Sequence, residues 1–288
     1  MNDRVLRAIT VDGSFRIIGV RTTDLVREAI RIHGSDSGAA LDAKAFCELL
    51  TGAIIVRETM APSQRLQMIL SRDKVGQVVV DSHPDDGRGA ITRGLVNRFS
   101  PEGGPVLGGD AVLRVIRSLP RGRLHQSIVE ATGVGITHAL MHYMQVSEQV
   151  VAMLGIATVF DGDQVVASGG YLVQLLPECT EGPLAVMTER LAHDFASLDR
   201  FIVENDADPA KLLEEVLYGF AYEKLADAPL RYGCDCSEER VLGAIATLGR
   251  AEVADVVARG EVMSLTCEYC RTTWSLGTDR LKTLLIDN

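Results

Sequence analysis

The chain reads as an α+β protein in three parts: a mixed α/β N-terminal core with antiparallel sheets over 1–178, a helical connector over 179–230, and a small C-terminal unit over 231–288. Three observations predict this. Up to about residue 178, apolar residues alternate in short runs broken by Gly, Pro and Asp clusters, the pattern of half-buried strands. From Gly182-Pro183 the period lengthens to three or four, the spacing of a helix face. The last segment holds four of the six cysteines in two tight pairs.

The core opens with "VLRAITVDGSFRIIGV", two alternating runs around Asp12-Gly13, a strong hairpin signal. "TTDLVREAIRIHG" predicts a helix, with Thr22 or Thr23 as its cap, Leu25, Ala29 and Ile32 on one face and Gly34 as its stop. Residues 38–58 continue as a small-residue helix containing Cys47. Strand-like runs follow at 64–71, 76–82, 90–97 and 111–118, and again in "HQSIVEAT". "GITHALMHYMQVSEQ" predicts a helix, and "VVAMLGIATVFDGDQVVASGGYLVQLLP" a hairpin turning at Asp161-Gly162. The most apolar run, residues 150–160, is too short to span a bilayer and reads as a buried strand. "MNDRVLRAIT" lacks an apolar segment and a small-residue cleavage site, so no signal peptide is expected and the protein should be cytosolic.

In the connector, Leu184, Met187, Leu191, Phe195, Leu198 and Ile202 make one helical face apolar, while the other is acidic. Asp208-Pro209 opens a second helix carrying Leu212, Leu213, Val216 and Leu217, with Asp208 as cap and Pro209 in the first turn. Between Glu178 and Pro229 twelve acidic residues face four basic ones, which is −8 of the chain's net −10. Like charges at this density repel, so the connector should be only moderately stable. A nucleic-acid ligand needs a basic face that displaces counterions, and this distribution argues against one.

The last unit alternates helices and a hairpin. "SEERVLGAIATLG" and "RAEVADVVARG" predict two short helices, "EVMSLTCEYCRTTWSL" a hairpin and "TDRLKTLLID" a closing helix. Ser237 with Arg240 is not a full capping box, though Glu238 and Glu239 suit a helix N-terminus. So small a unit has little apolar core and would benefit from a staple.

Cys234-x-Cys236 and Cys267-x-x-Cys270 are separated by thirty residues, enough for the two short helices. Zinc takes four soft ligands tetrahedrally, and this spacing makes Cys234, Cys236, Cys267 and Cys270 the candidate ligands of one Zn²⁺ ion. Such a site would pin both ends of the unit, and its binding energy would largely be folding energy. Three other readings stand beside a static zinc site: buried small hydrophobes, a metal site that doubles as a redox switch because zinc-bound sulfur is the thiolate that oxidants attack, and a thioredoxin-like Cys-x-x-Cys. The last usually sits early in a βαβ pattern, whereas here the pair lies on a hairpin.

The cysteine pattern resembles that of the bacterial redox-regulated heat shock protein 33 family. "CDCSEERV", the Gly260-Glu261 before the second pair, and "CEYC" carry the resemblance. "YMQVSEQV", with Ser147-Glu148-Gln149, and "ASGGYLVQLLP", with Gly169, Gly170 and Gln174, are similar to that family's core. The likeness is strong after about residue 130 and weaker before it. Arg271 departs from the family, where Gly often follows the last cysteine. The resemblance implies a non-enzymatic, ATP-independent holdase of the bacterial cytosol, zinc-bound and inactive when reduced. It also implies that oxidation closes Cys234 with Cys236 and Cys267 with Cys270, ejects zinc, and loosens the C-terminal unit and the connector. The exposed apolar surface would then hold unfolding client proteins, with the active form a homodimer. A constitutive zinc-stabilised scaffold, or a thiol-disulfide oxidoreductase, are the alternatives.

Other motifs are weaker. Gly133-Val134-Gly135 lacks the third Gly of a dinucleotide loop, with His138 in its place, and reads as a turn. "HPDDGRG" at 83–89 lacks the Lys and Ser/Thr of a phosphate loop. His138 and His142 share a helix face without a Glu to serve as base, so one should face solvent and one should pack. Cys47 and Cys179 receive no role.

Overall fold

The computed structural model describes every residue except 1, 35–39, 86–88, 101–103, 132–134, 194, 196 and 286–288, and the side chains of 40 and 41. The start of the predicted 38–58 helix, the tip of the 83–89 turn and Gly133-Val134 therefore lie outside the described residues. The chain divides into two compact units, residues 1–232 and residues 233–288.

The first unit is built on a ten-stranded sheet. Its strands are β1 (Arg4–Thr10), β2 (Phe15–Arg21), β3 (Leu66–Arg72), β4 (Gly76–Pro84), β5 (Ala90–Arg98), β6 (Val112–Ser118), β7 (Leu124–Glu130), β8 (Ala152–Asp161), β9 (Gln164–Leu175) and β10 (Tyr222–Tyr232). They run in the order β7-β6-β3-β4-β5-β10-β1-β2-β9-β8. Every neighbouring pair is antiparallel except β10 with β5, which run parallel over Leu230–Tyr232. The α+β reading of the sequence holds.

Both Asp-Gly turns close hairpins. Gly13 (φ +71°) and Gly162 (φ +59°) take the left-handed conformation that favours glycine. Asp12 tightens the first turn by accepting from the Ser14 backbone N–H at 3.0 Å and its hydroxyl at 2.8 Å.

Alternation along the strands gives the sheet two apolar faces. Val5, Ile18 and Leu172 point to one side, where α1 (Thr23–His33), α2 (Ala40–Arg57) and α3 (Ile136–Val146) cover them with residues such as Val26, Phe46, Leu50, Ile54 and Leu140. Leu6, Ile17, Tyr171 and Val173 point to the other side. There the connector, with helices α4 (Glu181–His193), α5 (Leu198–Glu204) and α6 (Pro209–Val216), supplies Met187, Leu212, Leu213 and Val216 from its helices and Phe195 from the stretch between α4 and α5. Each buried side chain of this size is worth roughly 1.5–3 kcal/mol, so the apolar stripe is what fixes the connector to the sheet. A β-carbon on Gly19 would stand 2.4 Å from Leu213 Cδ1, so α6 needs glycine there to lie this close.

Two local expectations change. Thr22 precedes α1 but its side chain does not cap it; its hydroxyl is 2.8 Å from that of Thr51. Asp3, one residue before β1, does the capping, accepting from the backbone N–H of Leu25 at 2.5 Å and of Asp24 at 3.2 Å. The second change concerns the end of the connector. Its last residues are not helical but form β10, the strand between β1 and β5. Tyr222, Ala226, Ala228, Leu230 and Tyr232 carry the period of two, which Lys224 and the intervening charges obscure in the sequence. Pro229, which has no N–H, is tolerated near the switch from antiparallel to parallel pairing.

In the second unit α7 (Glu238–Ile245) and α8 (Arg250–Ala258) precede the antiparallel hairpin β11 (Met263–Thr266) and β12 (Thr273–Leu276), and α9 (Thr278–Lys282) closes it. Among its described residues the buried apolar side chains are few: Leu242, Ile245, Val253, Leu276 and Leu281.

Candidate metal centre

The four paired cysteines converge. Cys234 and Cys236 lie on the extended stretch before α7, and Cys267 and Cys270 on the turn between β11 and β12. Cys234 Sγ is 3.7 Å from Cys267 Sγ, Cys236 Sγ is 3.4 Å from Cys270 Sγ, and all four sulfurs lie within 4.8 Å of one another. Four sulfurs bound tetrahedrally at about 2.3 Å stand roughly 3.8 Å apart, so the set fits a single tetrahedral ion. Both of these approaches run across the two motifs, and bringing the motifs together is what ties the two ends of the unit.

Each motif is held by its neighbours. Ser237 Oγ accepts from the Arg240 backbone N–H at 3.3 Å, which starts α7 directly after Cys236. Arg240 also pairs with Asp235 between the two cysteines. On the other side, Cys267 N–H donates to Thr272 O at 2.9 Å and Arg271 N–H to Cys267 O at 2.8 Å, closing a tight knuckle. Below it, the Thr266 and Thr273 hydroxyls meet at 2.9 Å across the hairpin.

The sulfurs differ in environment. Burial, with the neighbouring thiols, pushes the Cys236 thiol up to about 12. Burial also raises Cys267. At Cys270 burial acts upward too, but the hydroxyl of Thr272, 3.3 Å away, and its backbone N–H prevail and hold the thiol down at about 7. At Cys236 and Cys267 burial opposes the thiolate, and a thiophilic metal would supply the positive charge that favours it.

Arg271 carries the departure from the family pattern into the backbone. It sits at φ +59°, in the region where glycine is unstrained. A non-glycine residue there costs about 1–2 kcal/mol, against about 0.5–1 kcal/mol for the extra chain entropy of glycine. Arg271→Gly should therefore raise the thermal midpoint of the metal-loaded unit by a few degrees, read by calorimetry. A lowered midpoint would mean that contacts of the Arg271 side chain outweigh the strain.

The remaining candidates stay apart. Cys47 is buried in α2, where burial drives its thiol far above the ordinary range. Cys179 is half-buried ahead of α4. On α3, His138 is exposed and His142 half-buried.

A family model described as Hsp33 protein matches residues 3–276. The chain belongs to the Hsp33 family. It is 28% identical to the 33 kDa chaperonin of Syntrophotalea carbinolica, covering 99% of this chain and 100% of that one. It is 29% identical to the 33 kDa chaperonin of Synechococcus elongatus, covering 100% and 98%. The crystal structure of the 33 kDa chaperonin (heat shock protein 33 homologue) of Thermotoga maritima superposes with a TM-score of 0.78 at 25% identity, over 99% of this chain and 98% of that one. Among the described residues of this Hsp33-family chain, no helix is long and apolar enough to cross a membrane.

Proposed function

We propose that this Hsp33-family chaperone is an ATP-independent holdase whose activity is set by the oxidation state of Cys234, Cys236, Cys267 and Cys270. Reduced, the four thiolates hold one Zn²⁺ and the protein is inactive. The observation that carries this reading is the sulfur cluster itself: it spans a unit with only a small apolar core.

Closing two disulfides removes four electrons from the four thiolates. Two molecules of hydrogen peroxide accept them, take up protons and leave as water. The products have no thiolate left for a metal, so residues 233–288 lose the interaction that folds them. In the family pattern the pairs are Cys234–Cys236 and Cys267–Cys270. The connector follows. Helices α4–α6 are held by an apolar stripe on an acidic segment, and their release uncovers Leu6, Phe15, Ile17, Tyr171 and Val173 while the acidic face keeps the chain soluble. Strand β10 is paired with β1 over Tyr222–Pro229 and with β5 over Leu230–Tyr232, so the loosening stops short of it, near residue 221. The exposed surface then binds unfolding proteins, as a homodimer and in the bacterial cytosol. No catalytic turnover and no nucleic-acid or membrane partner enter this reading.

The test is peroxide treatment of the zinc-loaded protein at raised temperature. Zinc release is followed with a chromogenic chelator, client aggregation by light scattering without ATP, and disulfides by mass spectrometry. The expected result is one zinc released per chain, suppressed aggregation and disulfides within each pair. Retained zinc with unchanged aggregation overturns the switch and leaves a constitutive zinc-stabilised scaffold. Catalytic turnover of a disulfide substrate would make the protein an oxidoreductase.

A further inference from the structure

Within residues 1–232 lies a cavity of about 410 Å³, lined by β1, the end of α2 and β10. Three guanidiniums crowd one carboxylate at its wall. Arg57, the last residue of α2 and 6% exposed, donates to Glu58 Oε1 at 2.8 Å. Arg7 Nε stands 3.5 Å from Glu58 Oε2, and Arg16 on β2 donates to the Glu58 carbonyl at 2.8 Å. Glu58 is itself buried, so it cannot share this load with solvent. Nor does it saturate its neighbours: Arg7 Nε and Arg57 Nε have no hydrogen-bond partner. Burial, and then the like charge of Arg7, lowers Arg16 from the usual guanidinium value, the mark of cations crowded with too little anion. Asp227, the other acid on the lining, is drawn to Arg4 at 3.2 Å. Among the described residues, three arginines against one glutamate leave two positive charges in excess, in a chain whose net charge is −10. Buried charge calls for a counter-charge. The register of β1 on β10 also slips between Arg7 and Ala8, and such bulges recur where a strand must aim a side chain at a site.

We propose that this cavity binds a small phosphomonoester, with Arg7 and Arg57 on the phosphate and Met60 and Pro62 against its carbon skeleton. A phosphomonoester carries about −1.5 to −2 at neutral pH, which matches the excess, whereas a monocarboxylate brings half of that. Arginine forks suit phosphate oxygens, and the volume is that of a small-molecule site rather than of a bare ion. The site is separate from the cysteine switch, so failure of either reading leaves the other standing.

The experiment titrates the reduced, zinc-loaded full chain with glycerol phosphate, inorganic phosphate and acetate in calorimetry, and maps the site by backbone amide shifts. Saturable binding of one glycerol phosphate per chain is expected, weaker binding of inorganic phosphate and none of acetate, with shifts centred on Arg7, Arg57, Glu58 and Ala226. Arg7 is 27% exposed and its replacement should leave the fold intact, so Arg7→Gln should weaken glycerol phosphate about tenfold while the exposed Arg123→Gln leaves it unchanged. The shift map of the unaltered chain decides the location even if Arg7→Gln fails to fold. No saturable binding at millimolar ligand, shifts centred elsewhere, or full affinity in a folded Arg7→Gln overturns the site. Acetate binding as well as the phosphates, or inorganic phosphate binding as well as glycerol phosphate, overturns the ligand class.

Discussion

Cys267→Ser is expected to abolish tight zinc binding and to leave residues 233–288 unfolded while residues 1–232 keep their sheet. A serine hydroxyl does not ionise near neutral pH and is a poor ligand for a thiophilic ion, so the variant loses one of four ligands and the charge that goes with it. For small zinc units the metal contributes about 10–16 kcal/mol, nearly all of it folding free energy. The apolar residues of this unit cannot replace that, because among its described residues the buried apolar side chains are Leu242, Ile245, Val253, Leu276 and Leu281. The first unit has its own core on both faces of the sheet and does not depend on the ion. Bound zinc measured after gel filtration, amide exchange resolved by segment, and the emission of Trp274 report the three parts of the prediction. Cys234→Ser should behave the same way. Full zinc occupancy in either variant would remove that cysteine from the ligand set.

The parts of this structure that were legible in the sequence are those set by local chemistry. Asp12-Gly13 and Asp161-Gly162 specify turns because glycine alone takes the required backbone angle without strain, and the flanking alternation supplies the hairpins. The stripe from Leu184 to Ile202 shows that the connector must lie against an apolar surface. The spacing of the cysteines marks a four-sulfur set, and the pattern of the last cysteine and its successor foreshadows the left-handed Arg271. What was not legible depends on partners far along the chain. β10 is a strand because β1 and β5 leave a row of backbone groups for it to pair with, against the indications of Pro229 and its charges. The cap of α1 comes from Asp3 rather than from the threonine beside the helix. The burial of Arg21 likewise follows from three carboxylates at separate places in the sequence.

Arg21→Leu should destabilise the reduced first unit by about 3–5 kcal/mol and loosen the connector without oxidation. Arg21, at the end of β2, is 3% exposed. Its guanidinium donates to Asp3 at 2.6 Å and to Asp24 at 2.9 Å, and it reaches the connector through the Asp206 carboxylate at 3.1 Å and the Asp206 carbonyl at 3.0 Å. Asp206 and Ala207 both have φ +51°, a strained turn that persists because the surroundings hold it. Arg4 holds the other end of the same turn, with Asp208 at 3.0 Å. Removing Arg21 frees the turn and leaves Asp3 buried without its cation. Burial already raises the Asp3 carboxyl above its usual value, even with Arg21 and two helix N–H groups opposing. A carboxyl whose folded pKa is raised favours folding at low pH and loses that contribution as pH rises through the folded value. The deficit of Arg21→Leu in urea denaturation should therefore be smaller under mildly acidic conditions than at neutral pH. Asp3→Asn in the same background should recover part of it, because the amide removes the unpaired charge. Asp206→Ala removes the carboxylate part of that contact and leaves the Arg21 bond to the carbonyl at 206 and the Arg21–Asp3 pair intact, so it should cost the first unit far less while still loosening the turn. If the connector is the gate, Asp206→Ala will suppress client aggregation in the reduced, zinc-loaded state. A variant that remains as inactive as the parent would show that the apolar stripe alone holds the connector down.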